Sequence, residues 1–159
     1  MSSPKKIYTR RQALLKAQKY CSYQERCQKE VRNNLYKLGV QRDDIEGIIS
    51  DLISSNFLNE ERFSRAFARG KFKNNDWGWI KIEMELKQRN ISSYCIQKAK
   101  TEIDKDAYQK TIIDLAEKKF KELVGETRYI QKGKIIRYIV GKGFESDKVI
   151  DSVEALLGE

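Results

Sequence analysis

The sequence predicts an all-α fold of three tandem three-helix repeats, stacked into an elongated, curved array. The first observation is a pattern that recurs in residues 31–52, 82–103 and 135–156, at offsets of 51 and 53 residues and without internal gaps. Five of the six aligned positions are apolar in every copy. A period of this size is typical of helical arrays, whose units stack because one unit cannot bury its own apolar face.

The second observation is the residue that precedes the middle apolar position of each copy. This residue is Gly39, Asn90 or Gly143. Glycine and asparagine tolerate the left-handed conformation that ends a helix. Each copy therefore predicts a helix, a left-handed stop and a second helix. A single proline among 159 residues, of which 35% are charged, is also typical of a helical chain.

The first module, residues 1–56, is predicted to hold three helices. Thr9 caps a helix that runs through Tyr20. The pattern S-x-x-E at Ser22–Glu25 is typical of a capping box and predicts the start of the second helix. That helix ends at the first left-handed stop, and the third helix covers about 42–53.

The second module, residues 57–104, begins at Asn59, which can cap a helix whose first turn is acidic. A polar bend separates this helix from the next one, which starts near Trp77. A serine that follows the second stop caps a third helix through Ile103. The segments between helices are short, as expected in a stacked array.

The third module, residues 105–159, is predicted to contain helices over 106–123, 128–141 and 147–157. Its last helix has Ser146 as the expected cap. The first helices of the three modules do not align residue by residue. The three-module interpretation therefore depends on the second and third helices and on their spacing.

The net charge of +9 is unevenly distributed. Residues 1–37 contribute +8, residues 38–61 contribute −5, residues 62–100 contribute +7, and the last 59 residues contribute −1. A generic solvated surface mixes the two signs. Two basic blocks favour a polyanion or an acidic protein surface as the partner, although basic residues kept for solubility would give a similar composition.

Basic residues of two segments are the candidate contacts with a partner or with nucleic acid. Spacing on one helix places four of them in a stripe beside the apolar face of the second module. The candidates are Arg62, Arg65, Arg69, Lys73, the nearby Lys71 and Lys81, and in the N-terminal arm Lys5, Lys6, Arg10 and Arg11. Trp77 is expected to pack between modules, and for Trp79 packing and ligand stacking both stay open.

The composition argues against several other classes of function. Histidine is absent, and no phosphate-binding glycine loop or nucleophile elbow occurs. Three cysteines without metal-ligand spacing fit small buried residues of a reducing compartment. We therefore expect no enzyme activity, no cofactor and no metal. The N-terminal residues lack a signal-peptide pattern and no apolar run could span a bilayer, so a monomer in the cytoplasm, without a membrane partner, is expected.

Two segments, one across the joint between the first two modules and one within the second, resemble the RecX family. Residues 52–69 resemble its L-x-x-x-G-hydrophobic-hydrophobic-D-D-x-x-F-A signature, and residues 77–91 resemble its G-x-x-x-I-x-x-E-L-x-x-K-G-I signature. The matching residues are Phe57, Leu58, Glu61, Phe63, Gly78, Ile82, Glu85, Leu86 and Ile91. Asn56 and Asn90 stand where glycine is usual, a mild change because asparagine also adopts the left-handed conformation.

The resemblance implies a regulator of the RecA recombinase that is not an enzyme. Such proteins bind along the groove of the RecA–DNA filament and usually limit strand exchange and ATP turnover. The partners it implies are the RecA filament and DNA, contacted directly or through that filament. The alternative is a plain helical DNA-binding protein or transcription regulator that acts without RecA.

Overall fold

The computed structural model describes residues 7–158, and the regular elements of this range are nine α-helices. In chain order they are α1 (Arg10–Tyr23), α2 (Gln28–Lys37), α3 (Arg42–Ser54), α4 (Glu60–Asn75), α5 (Trp79–Gln88), α6 (Ser93–Lys100), α7 (Lys105–Glu122), α8 (Arg128–Gly141) and α9 (Ser146–Leu157). Each consecutive set of three packs on itself. The predicted all-α fold of three three-helix modules is confirmed. The boundaries at 1–56, 57–104 and 105–159 stay predictions.

The left-handed stops lie where the repeat predicts them. Gly39, Asn90 and Gly143 have φ values of 81°, 58° and 100°. In the first two copies the amide after the stop donates to the carbonyl five residues earlier, at 3.2 Å in each, which is the Schellman arrangement. Each stop turns the chain between the second and third helices of its module.

The repeat also identifies equivalent core positions. Leu35, Leu86 and Ile139 are each 0% exposed, on α2, α5 and α8. Because each of them lies at the centre of an apolar helix face, burying these side chains is a main source of stability for the modules. The predicted alignment of the three second helices is confirmed at these positions.

The start of α2 differs from the prediction. α1 continues to Tyr23, and the Ser22 hydroxyl donates to the carbonyl of Lys19 at 2.7 Å, inside α1. α2 begins at Gln28 after Cys27, which has an extended backbone and makes no capping bond with its side chain. The capping-box prediction was therefore wrong, because the serine hydroxyl bonds backward into the preceding helix.

Smaller differences occur at three other helix ends. Ser146 is the first residue of α9, and the residue at the cap position is Glu145, whose side chain makes no capping bond. That carboxylate accepts a hydrogen bond from Tyr108 instead. α5 begins at Trp79, two residues later than predicted, and α6 ends at Lys100, three residues earlier. Tertiary contacts and turns fix these ends, and local propensity does not reveal them.

The second and third modules are joined backbone to backbone. The amide of Gly78, just before α5, donates to the carbonyl of Lys142 at 2.9 Å, and the amide of Ile80 donates to the carbonyl of Gly143 at 3.0 Å. The turn after α8 thus supplies acceptors for amides that the first turn of α5 leaves unpaired. These two modules also share one hydrophobic core, which Cys27 of the first module joins.

The first module has a hydrophobic core of its own. Side chains make its polar contacts with the second module, among them Lys29, whose ammonium donates to the carbonyl of Gln88 at 2.6 Å. Every pair of helices in broad contact belongs to a single module, so the modules follow one another in line.

Candidate binding surfaces

The predicted basic stripe lies on α4, and Arg62 is its first member. Its Nε donates to Oε1 of Glu25 at 2.5 Å, across the joint between the first two modules. Its Nη2 donates to the carbonyls of Asn56 and Phe57 at 3.1 and 3.3 Å. Arg62 thus fastens the first module to α4, and its donors are largely occupied within the chain.

Arg65 and Arg69, one and two turns further along α4, share the carboxylate of Glu102. The Nη1 atoms of the two arginines lie 2.9 and 3.1 Å from its Oε1. Arg65 also pairs with Glu61 at 3.3 Å. The hydrogen bond from Arg65, followed by the contact with Arg69, lowers the pKa of Glu102 below its usual value. The Arg69 side chain is still 53% exposed, so it can reach a partner from this pair.

The remaining basic candidates of the second module surround an aromatic pair. The ammonium groups of Lys71 and Lys81 lie 4.9 and 4.4 Å from the centre of the Trp77 ring. Phe67 meets the same indole edge to face at 6.2 Å. Lys73 is exposed and forms no ion pair within residues 7–158. These ring contacts of Trp77 come from its own module, and Trp77 also packs against the core that the second and third modules share.

Trp79 lies in a cleft between the second and third modules. The cleft has a volume of about 610 Å³, and its lining includes Lys100, Lys105 and Tyr108. The Tyr108 hydroxyl accepts from the Trp79 amide at 3.0 Å and donates to Glu145 at 2.9 Å. Burial raises the pKa of Tyr108 above its usual range, so the hydroxyl stays protonated at neutral pH. These groups hold the joint together, and Trp79 is only 8% exposed.

The two N-terminal candidates lie at the start of α1. Arg10 pairs with Asp51 of α3 at 3.3 Å, and its guanidinium group covers Gly47. Arg11 is exposed and has no carboxylate partner in the part of the chain that the structure describes. Lys5 and Lys6 lie outside the described residues. The structure thus leaves Arg11 available and uses Arg10 to hold α1 against α3.

A basic surface that the sequence analysis did not single out lies on α8. This helix carries Arg128, Lys132, Lys134 and Arg137 and no acidic residue. The almost neutral net charge of the last 59 residues concealed it, because acids on α9 and outside the helices balance the total. A count of charges over each predicted helix, instead of over long blocks, would have found it.

The third helices of the first and third modules argue against a helix-turn-helix that reads duplex DNA, whereas α6 of the second module carries two lysines and no acidic residue. α3 carries one basic and four acidic residues, and α9 carries one basic and three acidic residues. In a helix-turn-helix the second helix of the motif enters the major groove, where it lies between two phosphate backbones. An acidic helix in that position would be repelled, so neither α3 nor α9 suits this role.

Residues 7–158 contain neither a metal-binding cluster nor a membrane-spanning helix. No three His, Cys, Asp or Glu side chains of this range are grouped closely enough to hold a metal ion. Its helices also include none that combines the length and the apolar character needed to cross a bilayer. Burial raises the pKa of the Cys27 thiol to about 11, which keeps it protonated at neutral pH.

The fold and its surfaces define a class: an array of three three-helix modules with basic patches along its length. Family models of RecX match each module separately. The first three-helix domain matches residues 13–52, the second matches 59–99 and the third matches 106–150. The chain belongs to the RecX family.

Named relatives and solved structures agree with this assignment. A regulatory protein RecX of Streptococcus uberis is 31% identical in an alignment of 137 residues that covers 82% of this chain and 50% of that protein. One of Prosthecochloris aestuarii is 28% identical over 92% of this chain and 95% of its own. The crystal structure of RecX from Lactobacillus salivarius superposes with a TM-score of 0.81 at 26% identity, covering 94% of this chain and 96% of that one. This chain spans half the length of the S. uberis relative.

Proposed function

We propose that this protein binds the RecA–DNA filament and limits recombination and DNA repair by RecA, without catalysing a reaction itself. The observation that carries the proposal is the match of all three modules to the RecX family, whose curated members are named regulatory proteins. The RecA partner comes from the resemblance to that family. We also propose that the protein acts as a monomer in the cytoplasm.

The shape and the charge of the chain support this proposal. Modules that follow one another in line can contact more than one subunit of a filament, and several weak contacts then add through effective concentration. Basic side chains are available at several points along the array, among them Arg11, Arg69 and Lys73. DNA phosphates and acidic side chains of RecA are both suitable partners for them.

The test uses RecA strand exchange with the double variant Arg65→Ala/Arg69→Ala. We expect the variant to keep its helical signal but to lose much of the inhibition, because Arg69 and its neighbours supply the contact. Where the contact is with phosphate, each lost pair lowers the slope of log affinity against log salt by about 0.7–0.9. Filament binding at low and at moderate salt measures that slope, with bare DNA as the comparison.

Glu102→Gln is the matched control. It breaks both ion pairs with Glu102 and weakens the attachment of α4 to the segment after α6, yet it keeps both arginines and the pair between Arg65 and Glu61. If the arginines make the contact, this control inhibits at least as well as the parent. If both variants lose inhibition equally, the ion pairs act on the structure and the contact surface lies elsewhere. Tight binding to bare DNA with no effect on RecA would favour a plain DNA-binding protein.

A further inference from the structure

The outer side of α8 carries basic and aromatic side chains that the fold does not use. We call Arg128, Tyr129, Gly133, Lys134 and Arg137 the α8 face. Tyr129, Gly133 and Arg137 follow one another at intervals of four residues, so they lie on one side of the helix. Tyr129 is 89% exposed. A phenol ring this open contributes almost nothing to the core.

The cations of the α8 face are also unneutralised. Neither Arg128 nor Arg137 lies within ion-pair distance of a carboxylate of residues 7–158, and the pair between Lys134 and Glu126 is long, at 3.8 Å. Each arginine of the stripe on α4, in contrast, has a carboxylate partner at 3.3 Å or less. Both arginines of α8 are therefore unpaired within this range, on a helix that has no acidic residue of its own.

The repeat indicates that the first turn of α8 is an addition. α2 begins at Gln28 and α5 at Trp79, which are aligned positions. The aligned position on α8 is Lys132, but this helix already begins at Arg128. In the second module, the start of α5 is covered by the turn that follows α8. In the third module the added turn carries Arg128 and Tyr129 outward instead.

A notch lies in the middle of the α8 face. No heavy atom lies within 4 Å of the position that a Cβ of Gly133 would occupy. A shallow hollow of about 470 Å³ is lined by Tyr129, Gly133, Arg137 and other residues of α8. Glycine weakens the interior of a helix, and here no packing within the described residues requires it. The notch gives a flat group access to the side of the Tyr129 ring.

We infer that the α8 face binds single-stranded nucleic acid directly, with a base stacked on Tyr129 and phosphates paired with Arg128 and Arg137. Exposed aromatic rings beside arginines suit single strands, because every base offers a face for stacking and phosphates follow at regular intervals. An acidic protein surface would use the cations but not the open ring. Duplex DNA would hide its bases from the ring. The inference rests on the proposed function, whose partner contains DNA, and deepens it by naming the helix and the residues that contact a strand.

The test measures binding of a fluorescent oligothymidine to the full chain in the absence of RecA, at several salt concentrations. Arg128→Gln/Arg137→Gln should weaken binding and lower the salt slope by about 1.4, since each single-strand phosphate contact contributes about 0.7. Tyr129→Ala should weaken binding roughly tenfold while the slope stays the same, because stacking involves no ion release. Lys37→Gln/Lys87→Gln removes two charges from the other modules and is the control for net charge.

Gly133→Ala should change strand binding and fold stability in opposite directions. Alanine favours the helix, so the variant should melt at a higher temperature. It should nevertheless bind the strand more weakly, because its methyl group enters the notch. The inference is overturned if the parent does not bind oligothymidine at low salt, if it binds a duplex of equal length more tightly, or if the control weakens binding as much as the α8 variants do. RecA inhibition is read separately, so either proposal can fail alone.

Discussion

Glu102, just after α6, determines how much of the predicted basic stripe on α4 is free to contact a partner. It holds Arg65 and Arg69 of α4 and thereby fastens this helix to the end of its module. The sequence could predict the stripe, because the spacing of residues along one helix is local. It could not predict the carboxylate, which lies 37 residues after Arg65 in the chain. The same limit hid the pair between Arg62 and Glu25.

The pH dependence of stability follows from the lowered pKa of Glu102. A carboxyl whose pKa is lower in the folded state contributes stability above its unfolded pKa, about 4.3, and loses it as the pH falls through the folded value. Glu102→Gln should therefore lower the free energy of unfolding at pH 7, and its difference from the parent should shrink at pH 3. Urea denaturation at both pH values measures this difference.

The control for this prediction is Glu117→Gln. Glu117 is exposed on α7 and pairs with no cation in the described part of the chain. Its substitution should change the free energy of unfolding little at either pH. A Glu102→Gln difference that is equally large at pH 3 and at pH 7 would mean that side-chain packing, and not charge, explains the effect.

At the scale of elements, the turn that ends one helix supplies hydrogen-bond acceptors for the start of another. The turn after α8 reaches the first turn of α5 and accepts two of its amides. The repeat predicted that the helix ends at Gly143, because a helix end depends on the local sequence. It did not predict the contact with Gly78, because an amide that needs an acceptor does not specify which distant carbonyl supplies it.

Gly78→Ala tests this contact. Gly78 has φ −77°, which suits any residue, so backbone strain is not at issue. An added Cβ would, however, collide with the backbone of Gly143 and Phe144. The modules would have to separate, and we expect a loss of about 1–3 kcal/mol of unfolding free energy, as for other overpacked sites. Denaturant titration followed by circular dichroism measures the loss.

The matched substitution is Gly70→Ala in α4. No heavy atom lies within 4 Å of its Cβ position, so the new methyl group meets open space. Because alanine is the better helix former, this variant should be neutral or more stable by up to about 1 kcal/mol. Equal effects of the two substitutions would argue against a tight contact at Gly78.

At the scale of the whole molecule, the chain holds two hydrophobic cores for three modules. One core belongs to the first module, and the other is shared by the second and third modules and also includes Cys27, which precedes α2. The hydrophobic pattern predicted which positions are buried, and Leu35, Leu86 and Ile139 confirm it. The pattern could not predict that two modules merge, because burial of a residue does not reveal which neighbour covers it.

The shared core predicts that residues 59–158 open as one unit while the first module opens by itself. Leu35 and Leu86 are equivalent positions and both are fully buried, so Leu35→Ala and Leu86→Ala form a matched pair. Each should cost roughly 2–5 kcal/mol within its own unit.

Leu35→Ala should lower the hydrogen-exchange protection of α1–α3 and leave α4–α9 nearly unchanged, because its core ends at the first joint. Leu86→Ala should lower protection in α4–α6 and equally in α7–α9, because the backbone bonds at Gly78 couple them. Loss of protection confined to α4–α6 would mean that the third module opens independently.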